Sequence, residues 1–136
     1  MVDYSSRWIE IKHLTTTSSS AAINKCRQVF ATHGIPDEFH SDNGPQFAAE
    51  EFQDFADQYG FLLTTSSPYL YFAQANGEAE TAVKIAKTIL STASPDVALM
   101  NYRATAHSAT GVTPSVALMG RAINIRLPIL PVALTP

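Results

Sequence analysis

Three carboxylates stand in settings that suit chemistry rather than simple solvation. Asp3 lies in an apolar-flanked segment, Val2-Asp3-Tyr4, and Asp42 ends a predicted strand directly before a glycine turn into a helix. A glutamate, Glu78 or Glu80, opens a later helix. In open α/β sheets ligands collect outside the carboxyl ends of strands, which is where Asp42 falls. A carboxylate set offers only hard oxygen ligands, which suit Mg²⁺ or Mn²⁺ rather than zinc. In phosphoryl-transfer enzymes such sets hold two ions about 3.5–4 Å apart, one activating the attacking oxygen and one stabilising the leaving oxygen. With twelve acidic residues in the chain, spacing alone is weak support, so the neighbouring residues must decide. No zinc is expected: Cys26 is the single cysteine, and His13, His33, His40 and His107 form no pair at ligand spacing. The same count excludes an internal disulfide, and Cys26 reads as a small core residue.

The elements that must position these acids follow from periodicity and punctuation. Trp8 to Leu14 alternates as a half-buried strand does. A Thr/Ser run from Thr15 to Ser20 supplies caps for a helix over about Ala21 to Thr32, with Ile23, Cys26 and Phe30 on one face and Gly34 as its stop. Glu38 to Ser41 reads as a short strand, Asn43-Gly44-Pro45 as a turn, and Ala48 to Tyr59 as a helix closed by Gly60. Phe61 to Thr65 is a further strand. Asn76-Gly77 starts a helix that runs to about Leu90. Ser94-Pro95 and Thr113-Pro114 each set a cap with proline at the first helical position, the second helix ending at Gly120. The expected architecture is α/β, a mixed central sheet flanked by helices. One domain is expected over residues 1–120, followed by an extended, proline-punctuated tail over 121–136.

The segments around the acids carry a resemblance. Val2-Asp3-Tyr4-Ser5-Ser6-Arg7-Trp8, Phe30 to Pro36, Ser41-Asp42-Asn43-Gly44-Pro45-Gln46-Phe47 and Gln74-Ala75-Asn76-Gly77-Glu78-Ala79-Glu80 come in this order. They are followed by Asn101 to Thr105, Thr110 to Pro114, Leu118 to Arg121 and Leu127 to Pro131. Together they resemble the catalytic core of retroviral and gypsy-type retrotransposon integrases over nearly the whole chain. The Ser-Asp-Asn-Gly-Pro-Gln-Phe block is the specific signal. The resemblance implies a ribonuclease-H-like fold and an Asp, Asp, Glu triad holding two divalent cations, Mg²⁺ or Mn²⁺. It also implies phosphoryl transfer on DNA: water trims the element's ends, then the exposed 3′-hydroxyl attacks target DNA. On matching positions the catalytic and metal-binding triad is Asp3, Asp42 and Glu80, with Glu78 as the alternative third acid. DNA and further copies of the same chain are the implied partners, and the nucleus is the implied compartment.

Two criteria disagree over that glutamate. The family's usual spacing falls on Glu78, whereas its Asn-Gly-x-x-Glu motif falls on Glu80, because the Pro68-to-Gln74 stretch is longer than the family's loop. At about 100° per residue, Lys84 lies about 40° and Lys87 about −20° from Glu80, so the three share a stripe. Ala82, Val83, Ile85, Ala86, Ile89 and Leu90 cover roughly 140–300° of the same wheel as its buried face, and Glu78 falls near 160°, inside it. Family members also carry DNA-contacting lysines four and seven residues after their glutamate, and Glu80 is the acid that matches. Lys84 and Lys87 then become phosphate-contact candidates, against the alternative of a solvated face with a Glu–Lys pair. Asn43 and Gln46 are candidates for orienting DNA or a metal-bound water, or else simply residues of the turn.

Nine basic against twelve acidic residues give a net charge of −3, which argues against a partner drawn by bulk basicity. Two bound divalent ions would more than offset three carboxylates and make the site locally attractive to phosphate. No apolar run is long enough to cross a membrane as a helix, and no secretory signal opens the chain. Several positions depart from the family pattern. Met1 and Val2 alone precede Asp3, so the first strand is expected to be truncated and Asp3 to sit on a fraying end. Thr81 stands where arginine is usual, and Tyr71-Phe72-Ala73 where His-Pro or Tyr-Pro is usual. No His-His-Cys-Cys module is present. The chain therefore reads as a fragment of a retrotransposon polyprotein that keeps a competent core, or as a decayed or domesticated remnant that keeps the fold as a nucleic-acid-binding or protein-interaction module.

Overall fold

The computed structural model describes residues 1–65, 73–128 and 130–135. The chain divides into two compact units, Lys12–Ala73 and the combination of Met1–Ile11 with Gln74–Pro136.

In the first unit, α1 spans Ser19–His33, with the Ser18 hydroxyl accepting the Ala21 N–H at 3.3 Å. Gly34 follows at φ 89°, a conformation that glycine adopts without a Cβ penalty. Its buried stripe is Ala22, Ile23, Cys26 and Phe30, so Cys26 is a core residue. Two parallel strands, β1 (Glu38–Ser41) and β2 (Leu62–Thr65), pair in register from Glu38↔Leu62 to Ser41↔Thr65. Parallel pairing requires a crossover, which two helical pieces supply, α2 (Pro45–Ala48) and α3 (Glu50–Tyr59). The helix expected from Ala48 begins two residues later as α3, because Ala49, at ψ 149°, is extended and stands as its cap, while the expected turn at Asn43-Gly44-Pro45 runs on into the short α2. Glu50 and Glu51 suit the positive end of the α3 dipole. The core is aromatic. Phe52 is fully buried and meets Phe39, Phe47 and Phe55 with ring centroids 5.2–5.6 Å apart, while Phe30 stacks on Phe55 at 5.9 Å.

In the second unit the expected strand from Trp8 contracts to one antiparallel bridge, Val2↔Ile9. The chain reverses between them: the Asp3 N–H donates to the Trp8 carbonyl and the Arg7 N–H to the Asp3 carbonyl, both at 2.8 Å. Ile9 is buried, Glu10 exchanges backbone hydrogen bonds with Met1 at 2.9 and 2.8 Å, and its carboxylate accepts the Trp8 indole N–H at 2.9 Å. Strand pairing is therefore parallel in one unit and a single antiparallel bridge in the other.

Three helices follow: α4 (Ala73–Leu90), α5 (Pro95–Arg103) and α6 (Pro114–Met119). Thr113 caps α6 by accepting the Val116 N–H at 3.2 Å. Along α4, Thr81 and Thr88 return their hydroxyls to the carbonyls of Gly77 and Lys84, at 2.8 and 3.0 Å. Its inner face is narrower than expected. Ile89 is buried and Ala82, Ile85 and Ala86 are half-buried, but Val83 and Leu90 are 52% and 56% exposed. Both sit at one edge of the apolar arc, beyond the width that the unit covers. The tail, expected to be extended, holds a short 3-10 turn over Pro131–Leu134, and the Ala122 N–H donates to Ala133 at 3.0 Å. Among the described residues no helix is long and apolar enough to cross a membrane.

Candidate functional site

Asp42 is built by the turn that leaves β1. Ser41 is buried, and Asp42 emerges exposed immediately after it, with Oδ1 accepting the Gly44 N–H at 2.9 Å. This is an Asx-type turn, in which the side chain takes the place of a backbone acceptor. Gly44 leaves room here for a close approach of two side chains. A Cβ at this position would lie 2.9 Å from Asp42 Oδ1 and 3.0 Å from Gln46 Oε1. Gly44 thus lets the Asp42 carboxylate and the Gln46 carboxamide converge over the backbone as it enters α2 at Pro45. Asn43 is exposed beside them.

Behind Asp42, on β1, lies a polar chain that sequence reasoning did not single out. Thr64 donates its hydroxyl to Glu38 Oε1 at 3.0 Å and accepts from His40 Nδ1 at 2.9 Å. Because the hydroxyl proton is spent on Glu38, the proton of this pair sits on His40 Nδ1. Cross-strand register puts His40 opposite Thr64. A sequence shows the two residue types but not their pairing.

In the other unit, α4 carries Glu80, Lys84 and Lys87 as exposed side chains. Glu78 differs: it is half-buried, and its Oε2 lies 3.3 Å from Arg7 NH1. Asp3 differs again. Its Oδ2 accepts both the backbone N–H of Ser6, at 2.9 Å, and the Ser6 hydroxyl, so the carboxylate closes its own turn. Rather than fraying, the segment is pinned. Tyr102 donates to the Arg7 carbonyl at 2.8 Å and Arg103 to the Ile9 carbonyl at 2.6 Å. Arg103 also pairs with Glu10 at 3.3 Å and lies 4.1 Å over the Trp8 ring. Burial pushes the Tyr102 phenol up and the Arg103 guanidinium down, the latter opposed by Glu10. Arg7, Tyr102 and Arg103 all lie within segments that carry the resemblance, yet nothing in their residue types marks them as pins.

The expected ligands are divided between the two units. Asp3 and Glu80 belong to one unit and Asp42 to the other. Among the described residues, no group of three or more His, Cys, Asp or Glu side chains is placed to hold a metal ion. Asp3, Asp42 and Glu80 all offer oxygen donors of the right chemistry; one oxygen of Asp3, Oδ2, is engaged by Ser6, as Oδ1 of Asp42 is by Gly44. The Pro68-to-Gln74 stretch, whose length and chemistry depart from the family's loop, lies for the most part outside the described residues. A depression of about 430 Å³ beside α1 and α3, lined by Arg27, Glu51, Asp54 and Asp57 among others, contains none of the predicted residues.

Comparison with known proteins places this geometry in context. Residues 1–70 match the family model described as integrase core domain. The uncharacterized protein K02A2.6 of Caenorhabditis elegans is 29% identical over 140 residues, covering 96% of this chain and 11% of that protein. The chain thus spans about a tenth of that relative's length. Among solved structures, the simian T-cell lymphotropic virus intasome in complex with PP2A regulatory subunit B56 gamma superposes with a TM-score of 0.74 at 26% identity, covering 96% of this chain and 49% of that one. The catalytic core domain of BIV integrase gives 0.70 at 22% identity, covering 88% and 82%. The HTLV-2 integrase catalytic core in complex with magnesium, in a trimeric form, gives 0.67 at 22% identity, covering 86% and 80%. The α/β fold is that of integrase catalytic cores, ribonuclease-H-like, with a short parallel sheet and flanking helices.

Proposed function

The chain belongs to the integrase core domain family, and from that premise we propose that it serves DNA integration by phosphoryl transfer, with Asp42 and Glu80 as the acids of the reaction. Water would first trim a DNA end. The exposed 3′-hydroxyl would then attack a target phosphate in line, forming one P–O bond as the bond to the leaving 3′-oxygen breaks. The observation that carries the reading is the Asp42 turn. Gly44 is held so close that it presents the carboxylate, with Gln46 beside it, at the carboxyl end of a parallel strand pair. Lys84 and Lys87 follow Glu80 on one exposed stripe and would meet DNA phosphates, while Asn43 and Gln46 would orient the bound strand. Mg²⁺ or Mn²⁺ is the cofactor that this chemistry calls for, and the acids described here do not by themselves form a three-ligand set for it. DNA and further copies of the chain are the partners, and the nucleus is the compartment that such a reaction would need.

A second reading has one observation in its favour. One oxygen of Asp3, Oδ2, accepts two hydrogen bonds from Ser6 within its own turn, which suits a domain that keeps the fold and binds nucleic acid without joining it.

One experiment separates the two. The purified protein is given labelled DNA ends with Mn²⁺ or Mg²⁺, and strand joining is measured for the parent, Asp42→Asn, Glu80→Gln and a Lys84→Ala/Lys87→Ala pair. Joining that disappears in both acid variants is the expected result. The lysine pair should weaken DNA binding and lower the slope of log affinity against log salt by about 1–2. Binding without joining in the parent, under either metal, selects the second reading.

A further inference from the structure

The geometry points to Arg7 as a positioning residue for the acid-and-lysine face of α4, acting through Glu78; its activity readout rests on the role proposed for Glu80. The case begins with the turn. Asp3 holds Ser6 through its carboxylate and Arg7 through its carbonyl, which places Arg7 at φ 62°. A residue with a Cβ adopts this left-handed conformation only where its surroundings hold it there. Here the carbonyl accepts the Tyr102 hydroxyl, and the guanidinium lies 4.4 Å over the Tyr4 ring.

Arg7 is 9% exposed, and its Nε and NH1 atoms find no hydrogen-bond acceptor among the described residues. A buried cation of this kind needs a counter-charge, and the carboxylate that faces it is Glu78, at 3.3 Å from NH1. Glu78 precedes Glu80 by two positions, so the two point about 200° apart around α4. A contact that holds Glu78 inward therefore sets the rotation of the helix about its own axis. That rotation decides where Glu80, Lys84 and Lys87 are presented. The arrangement also separates the two glutamates by role: Glu78 is the counter-ion of Arg7, and Glu80 is left facing outward.

The test begins without metal or DNA. Amide exchange across residues 77–82 is measured in the parent protein, in Arg7→Gln, in Glu78→Gln and in the double variant. Exchange should quicken roughly threefold to tenfold in each single variant and no further in the double. Effects that multiply, or a Glu78→Gln protein that exchanges like the parent, would overturn the inference. Should Arg7→Gln not fold, Glu78→Gln and Arg7→Lys carry the comparison. In the strand-joining assay, Glu78→Gln should lower kcat about tenfold while KM for DNA ends stays within about twofold. Arg7→Lys, which keeps the charge, should retain most of the rate that Arg7→Gln loses. Equal losses in the Lys and Gln variants would reduce Arg7 to a packing residue and sink the idea. A parent that joins no DNA refutes the proposed function, and the exchange measurement then still decides for or against Arg7.

Discussion

The two units hold themselves together by opposite means. In Lys12–Ala73 the cohesion is apolar: Phe30, Phe39, Phe52, Phe55 and Phe61 pack ring on ring, with Tyr59 4.6 Å from Phe55. In the unit formed by Met1–Ile11 and Gln74–Pro136 the first eleven residues are secured by polar pins. These are Tyr102 on the Arg7 carbonyl, Arg103 on the Ile9 carbonyl and on Glu10, and Arg7 on Glu78. Ring packing tolerates small displacements, because dispersion is spread over many weak contacts. A pin is directional and carries charge, so its loss strands a buried partner. The apolar unit presents Asp42 at the end of a strand, whereas the pinned unit presents Glu80, Lys84 and Lys87 along an exposed helix face.

The sharpest way to break this contrast is Phe52→Ala. A fully buried ring with three aromatic neighbours should cost about 3–5 kcal/mol. Trp8 is the single tryptophan, so its fluorescence reports on the pinned unit while far-ultraviolet dichroism reports on both. Urea titrations read by both signals should show dichroism falling first, and coincident loss would mean that the two modes of cohesion are not independent.

Alkaline titration comes next. Burial pushes the Cys26 thiol from its ordinary 9.0 up to about 11. Between these values the unfolded chain has released a proton that the folded chain keeps, so stability is intact below about 9 and falls as pH rises towards about 11. At about 1.4 kcal/mol per pH unit the loss reaches about 2–3 kcal/mol. Cys26→Ala should flatten that slope in thermal melts even though its own melting temperature is lower. The raised phenol of Tyr102 gives a loss of the same sign to the pinned unit above its ordinary 10.0.

Arg103→Met keeps the stem over Trp8 but removes the hydrogen bond to Ile9 and the pair with Glu10. A loss of about 1–3 kcal/mol is expected, together with a shift in Trp8 emission. An unchanged spectrum would show that the pin does not shape the hairpin. The smallest effect on stability should come from Gly44→Ala, about 1 kcal/mol, because φ at this position is −55° and only the side chains must give way. Its effect on strand joining should nonetheless be large, at least about tenfold, since Asp42 and Gln46 are the groups displaced.

What could be read from the sequence follows the same division. Caps and stops are local chemistry, so α1, α5, α6, β1 and β2 fall within a few residues of their expected limits. The Asp42 turn was legible because Asp-Asn-Gly-Pro encodes it within four positions. The short α2 and the extended Ala49 after it were not, since alanine carries neither a cap nor a stop signal. The hairpin was misread for a physical reason: alternation from Trp8 onward looks the same whether side chains pack across a sheet or are drawn to Arg103 and Tyr102. Likewise, an acid between apolar neighbours looks the same whether or not one of its oxygens closes a turn, as Asp3 Oδ2 does with Ser6. The helical wheel located the apolar arc of α4, but the position of Val83 and Leu90 outside the covered part depends on how wide the neighbouring surface is.

The threonine hydroxyls of α4 give that helix a shape as well as a face. Thr81 and Thr88 lie seven residues apart, within about 20° of each other around the axis, and each adds a second bond to a carbonyl one turn back. Such bonds open the backbone slightly on their own side, and two in line bend a helix in one direction. Glu80, Lys84 and Lys87 lie to one side of that line, so a bend set by these two bonds would lay their charges along an arc rather than a straight edge.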